Sequence, residues 1–274
     1  MNRGARVLAF IAVVLTLLSA TACNKLRARD QLNKGVQAYK NARYEEAIER
    51  FKNAVALDPG LINAKLYLAT AYANQYVPGA DTPENNKNAE QAIDVFKEVL
   101  STNPAREAQV NSLKGIASLY FQMKKLDQAK EYYAKVKDLD PNDPEVYYSI
   151  GVIDWTETYQ PRMEEKAKLG LKPDEPIKDK KICESLKEKN TAAVEDGMQM
   201  LQKSIDLRPD YDDAMAYYNL MYREKADIEC GDQQAREEDL KKADEWVKKT
   251  MAVKAEKAQK AAQSPGGITI DQTK

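Results

Sequence analysis

Ala47-Ile48-Glu49-Arg50-Phe51-Lys52-Asn53-Ala54-Val55-Ala56-Leu57-Asp58-Pro59 is the stretch whose reading decides the fold. Its Ala47, Phe51, Ala54 and Pro59 follow one another at steps of four, three and five. Steps of four and three put the first three side chains on one face of a helix. The proline marks the stop, because its ring cannot continue a helix and it pushes the residue before it out of the helical region. The same spacing returns at Ala92, Phe96, Val99 and Pro104, and again at Ala129, Tyr133, Val136 and Pro141. It returns more loosely at Gly197, Leu201, Ser204 and Pro209, and without its proline at Ala243, Val247 and Thr250. A helix that recurs in this way makes the chain a repeat protein, in which each unit must bury its apolar face against its neighbours.

A second helical segment precedes each of these stretches. Leu32, Gly35 and Tyr39 lead into the first, and Leu66, Ala69 and Tyr72 into the second. Leu113, Ile116, Ala117 and Tyr120 lead into the third, Tyr147, Ile150 and Gly151 into the fourth, and Tyr218 and Tyr222 into the fifth. A helix with a small residue and then tyrosine, a turn, a helix with Ala-x3-Phe-x2-Ala, and a proline: this pattern resembles the tetratricopeptide repeat. Residues 28–61 carry it best, with Gly35, Ala47, Phe51, Ala54 and Pro59 at the motif's small, aromatic and proline places and its tryptophan missing.

The resemblance covers roughly residues 28–255. It implies an all-α solenoid of about five helix-turn-helix units with inserted loops, a hairpin and a C-terminal capping helix. The expected divisions are 28–61, 62–104 with an insertion at Val77–Asp81, and 105–141. Next come 142–209 with a long hairpin from Thr156 to Asn190, and 210–263 as a degenerate fifth unit with its capping helix. Pro161, Gly170, Pro173 and Pro176 read as breaks within the hairpin, and residues 264–274 as a disordered tail.

Composition narrows the function. The 274 residues carry a formal net charge of −1, so no basic field invites nucleic acid. Histidine is absent, which removes Ser-His-Asp and Cys-His catalysis and histidine metal sites. No glycine-rich phosphate loop occurs. The expectation is a non-enzyme without cofactor, metal or small-molecule substrate.

At the N-terminus, Arg3 and Arg6 precede an apolar run from Val7 to Leu18, followed by Ser19-Ala20-Thr21-Ala22-Cys23. This is the pattern of a secretory signal over residues 1–22, too short for a membrane span. Ala20-Thr21-Ala22 suits ordinary signal peptidase. The stretch also resembles a bacterial lipobox, with Ala20 where leucine is usual, which implies acylation of Cys23 and a short tether over residues 23–27. Asn24 follows the cysteine, not the aspartate that signals inner-membrane retention, so the expected location is the outer membrane facing the periplasm. Export leaves Cys183 and Cys230 as a pair in an oxidising compartment, in insertions that line up along one edge of a stacked solenoid. They are expected to form a disulfide, the alternative being two unpaired buried thiols.

In proteins of the resembled type, the first helix of each unit lines a concave groove that meets peptide or helical ligands. By helical phase, the groove set is Asn63, Leu66, Thr70 and Asn74, then Asn111, Lys114, Ser118 and Phe121, then Tyr148, Val152 and Trp155. Tyr148 and Trp155 are its expected anchors, with burial of Trp155 as core by the hairpin as the rival reading. The partner implied is a segment of another cell-envelope protein, with a role in assembling an outer-membrane or secretion complex. A self-associating module is the alternative.

Overall fold

The computed structural model describes the backbone of residues 3–263 and the side chains of residues 22–263. The side chains of residues 1–21, where the signal was expected, and residues 264–274, expected to be a disordered tail, lie outside the described residues. Ten α-helices, and no strand, make up the regular structure among the described residues. In order they are α1 (Arg3–Lys40), α2 (Tyr44–Leu57), α3 (Ile62–Gln75), α4 (Pro83–Ser101) and α5 (Arg106–Gln122). There follow α6 (Leu126–Leu139), α7 (Pro144–Lys168), α8 (Lys180–Leu207), α9 (Asp212–Asp227) and α10 (Gln233–Gln263). None of the described helices is long and apolar enough to cross a membrane. The chain divides into two compact units, Met1–Tyr132 and Tyr133–Lys274, with the division inside α6.

In unit 1, α1 packs on α2, α2 on α3, α3 on α4 and α4 on α5, and α3 also packs on α5, as stacked helical pairs do. The repeated residues are its core: Ala47, Phe51, Ala54, Ala92, Phe96 and Val99 are all buried. Close approach is what the small residues permit. A methyl group placed on Gly35 would lie 2.5 Å from the Phe51 ring, and one on Gly115 would lie 2.5 Å from the Phe96 ring. Phe51 also stacks on Tyr67 of the following pair, ring centroids 5.5 Å apart. The proline stops act as expected: Asp58 before Pro59 and Arg208 before Pro209 leave the helix at φ −141° and −137°.

The Val77–Asp81 insertion is tied down by Asn85. Its amide accepts from the Val77 N–H at 2.7 Å and donates to the carbonyls of Val77 and Ala80 at 2.9 and 2.6 Å. Thr82 caps α4, accepting from the Asn85 N–H, with Pro83 in the first turn.

In unit 2, α7 packs on α8 and α9, α8 on α9, and α9 on α10. Ser204 stands where the first three repeats have alanine or valine, and its buried hydroxyl donates to the Pro144 carbonyl at 2.8 Å. One expectation about the hairpin is corrected here. Pro161 does not break it but lies inside α7, which runs unbroken to Lys168. A proline loses one intrahelical hydrogen bond, and α7 is held across that gap by its packing on α8 and α9. The stop comes at Gly170, whose φ of +67° suits glycine, with Pro173 and Pro176 in the following loop.

Candidate functional site

In α3, burial of Ala64, Leu68, Ala69, Ala71 and Tyr72 leaves Asn63, Leu66, Tyr67, Thr70 and Asn74 as a separate stripe. In α5, burial of Ser112, Leu113, Ile116 and Ala117 leaves Ala108, Asn111, Gly115, Ser118 and Gln122. These two stripes face one cleft of about 880 Å³ in unit 1, within the size range of ligand sites. Tyr39 from α1 and Tyr76 after α3 also line it, and the Phe96 ring of α4 sits beneath Gly115.

The lining is rich in groups that both donate and accept. Asn74 donates its amide to the Tyr39 hydroxyl. Gln122 donates to the Ser118 hydroxyl at 3.1 Å, and Thr70 turns back to the Leu66 carbonyl at 2.8 Å. Asn63 and Asn111 are exposed. Burial first, and then neighbouring Tyr44, raises the Tyr39 phenol above its ordinary value, so it stays a neutral hydroxyl. Amides and hydroxyls of this kind can meet both the N–H and the C=O of an extended backbone.

Of the predicted groove residues, Asn63, Leu66, Thr70, Asn74, Asn111 and Ser118 come together in this cleft, whereas Lys114 and Phe121 lie outside its lining. The lining face of α5 is centred near Gly115, roughly a quarter-turn from Lys114 and Phe121. Gly115 allows the Phe96 ring to come close, and that contact sets the rotation of α5. Tyr39, Tyr67, Tyr76 and Gln122 line the cleft as well and were missed. Gln122 was legible as the next turn after Ser118, but the tyrosines come from a helix flank or a loop that carries no groove signal.

Tyr148, Val152 and Trp155 lie in unit 2. Val152 is buried, and Tyr148 and Trp155 are part-buried against the unit 2 core. The Trp155 ring stacks on Tyr159 at 4.6 Å and meets Tyr217 edge-on at 5.3 Å. Tyr148 contacts Tyr211 and Tyr217 at 5.0 and 5.7 Å. The aromatic surface that marked these residues as anchors is thus covered by tyrosines of α7, of α9 and of the turn before α9. The indole N–H of Trp155 is buried without a hydrogen-bond partner.

The same unit holds a buried charge cluster that sequence reasoning did not find. Arg162 Nη1 pairs with Asp227 Oδ2 at 2.6 Å, and Lys166 Nζ reaches the same oxygen at 2.5 Å. Arg162 Nε lies 2.8 Å from Glu224 Oε2, though off line for a hydrogen bond. Burial outweighs the arginine and pushes the Glu224 carboxyl up to about 7. Beside this cluster Cys183 and Cys230 form a disulfide, with Cα atoms 5.4 Å apart, joining the first turn of α8 to the α9–α10 loop. Cys23 is a free, exposed cysteine.

Residues 86–150 match the family described as tetratricopeptide repeat. The fold is similar to that of MamA 41-end from Desulfovibrio magneticus RS-1, at a TM-score of 0.55 and 16% identity, covering 84% of this chain and 96% of that one. It is also similar to YrrB, described as "a TPR protein with an unusual peptide-binding site", at a TM-score of 0.52 and 14% identity, covering 88% and 97%. In sequence, 123 residues are 28% identical to the human protein O-mannosyl-transferase TMTC3, covering 43% of this chain and 13% of that protein. The chain therefore spans only a small fraction of that relative's length. A tetratricopeptide-repeat match over residues 86–150 thus sits within an all-α fold similar to that of these solved structures.

Proposed function

We propose that the protein is a non-enzymatic scaffold that holds a segment of another protein in the unit 1 cleft. The observation that carries this reading is the pairing of the α3 and α5 stripes across a volume of about 880 Å³. Aromatic floor and walls supply apolar contact there, and amides and hydroxyls supply backbone recognition. The description of the similar YrrB fold as peptide-binding adds support at the level of architecture.

The reading extends to a place in the cell envelope. Exposed Cys23 follows small residues and an apolar run, and its acylation would tether the protein with only a few residues between lipid and core. Two or more acyl chains hold a protein stably on a bilayer, whereas one holds it marginally. A scaffold tethered at the outer membrane would present the cleft to envelope proteins during assembly of a membrane or secretion complex.

Two measurements test the two parts. A photo-crosslinking residue at Asn111, inside the cleft, should capture a protein in intact cells, and one at Lys203, exposed on α8, should not. Equal capture at both positions, or none at Asn111, overturns the cleft assignment. Mass spectrometry of the mature N-terminus should find an acylated Cys23, and an unmodified cysteine overturns the tether.

A further inference from the structure

Charge is distributed unevenly around the cleft, and this selects among peptides. Among the lining residues Glu107 alone carries a formal charge. Every other polar group there is a neutral amide or hydroxyl, the tyrosine phenols included. The cations on α3 and α5, namely Lys65, Arg106 and Lys114, are not among the lining residues. Lys65 of α3 is buried away from the cleft and pairs with Glu98 at 2.5 Å. Lys114 of α5 lies off the lining and has an interaction partner of its own.

We infer that the cleft takes a chain-internal, extended segment bearing a lysine or arginine, and that it rejects acidic segments and free C-terminal carboxylates. This rests on the cleft being the ligand site. A carboxylate moved from water into such a lining meets no cation, and burying an unpaired charge is costly. The backbone of a chain-internal segment brings no net charge, and its N–H and C=O groups match the amides of Asn63, Asn111 and Gln122.

Glu107 then supplies a specific partner for a basic side chain. It stands in the first turn of α5, at the rim of the cleft. It is exposed, so it can pair without prior desolvation. Tyr67 adds a second attraction. Its ring is partly exposed in the same cleft and is held in place by stacking on Phe51, which suits the face of a guanidinium or ammonium group.

The test uses the full chain with its disulfide intact and two random twelve-residue peptide libraries. One library is displayed within a carrier loop, and the other ends in free carboxylates. Selections run on the wild type, on Glu107→Lys and on Asn111→Arg, both substitutions at exposed positions, with circular dichroism to confirm folding. The wild type should enrich chain-internal peptides containing Lys or Arg over those containing Asp or Glu by at least tenfold. Glu107→Lys should reverse that preference, and Asn111→Arg should abolish binding of the selected peptides. Preference for free carboxylates, or a preference that Glu107→Lys leaves unchanged, overturns the charge inference while the cleft stands as the site. Binders that ignore both substitutions, or no enrichment at all, overturn the cleft reading as well. Sedimentation of the protein alone makes a further check, since a dimer dissolved by Asn111→Arg would make a second copy the occupant and overturn the inference.

Discussion

Removing the Cys183–Cys230 bond should destabilise unit 2 selectively, and the two tryptophans make this measurable. Trp155 and Trp246 both lie in unit 2, and the sequence has no others, so tryptophan fluorescence reports on that unit alone. The bond closes a loop with a sequence separation of 47. In the chain-entropy treatment a loop of that length lowers the entropy of the unfolded chain enough to stabilise the fold by about 4 kcal/mol at 25 °C. For a domain the size of unit 2 this corresponds to a fall of roughly 8–16 °C in melting temperature. The perturbation is Cys183→Ser with Cys230→Ser, compared with the oxidised wild type in urea titrations followed by fluorescence. Far-UV circular dichroism, which sees both units, should split into a shifted and an unshifted transition. Unacylated protein denatured without reductant should show a single reactive thiol, Cys23. Three thiols would show that the bond does not form. A fluorescence midpoint that does not move would refute the assignment of its stabilising effect to unit 2.

Gly35→Ala places a methyl group 2.5 Å from the Phe51 ring, and this overpacking should cost about 1–3 kcal/mol in urea denaturation followed by circular dichroism. Arg162→Ala strands Glu224 in the buried cluster and leaves Asp227 to Lys166, and should cost about 3–5 kcal/mol by fluorescence, whereas Arg162→Met with Glu224→Leu should cost far less. Trp155→Ala removes a ring packed between Tyr159 and Tyr217 and should cost roughly 3–5 kcal/mol, read from the remaining Trp246; an unchanged midpoint would return Trp155 to the surface-anchor reading. The Glu224 carboxyl is pushed up to about 7 from its ordinary value of 4.5, so the folded state holds this proton more tightly than the unfolded state. The stabilising contribution of this group is complete below about pH 4.5 and is lost as pH rises to about 7. Glu224→Gln should flatten the fall in unit 2 stability over that window, and an unchanged pH profile counts against the raised pKa.

Helix existence, helix stops and core identity were legible in the sequence because they depend on local rules. The step from Ala47 to Phe51 to Ala54 sets a helical face, and Asp58-Pro59 ends it, without reference to any distant residue. Repetition then implies stacking, since no single pair of helices can cover its own apolar face. Six of the eight groove residues predicted for α3 and α5 line the cleft for the same reason: helical phase is a local property. Phase, however, leaves the rotation of each helix against its neighbours undetermined. The approach of Phe96 to Gly115 sets it for α5 and turns Lys114 and Phe121 out of the lining. Nothing in the pattern separated Trp155 as a surface aromatic from Trp155 as a packed one, because the rings that cover it include Tyr217, far along the chain. The charge cluster is non-local in the same way. Arg162 and Asp227 are 65 residues apart, and in the sequence each reads as one more charge on a solvated helix. Only tertiary packing excludes water around them, and without that exclusion neither the pairing of Arg162 with Asp227 nor the raised Glu224 carboxyl would exist.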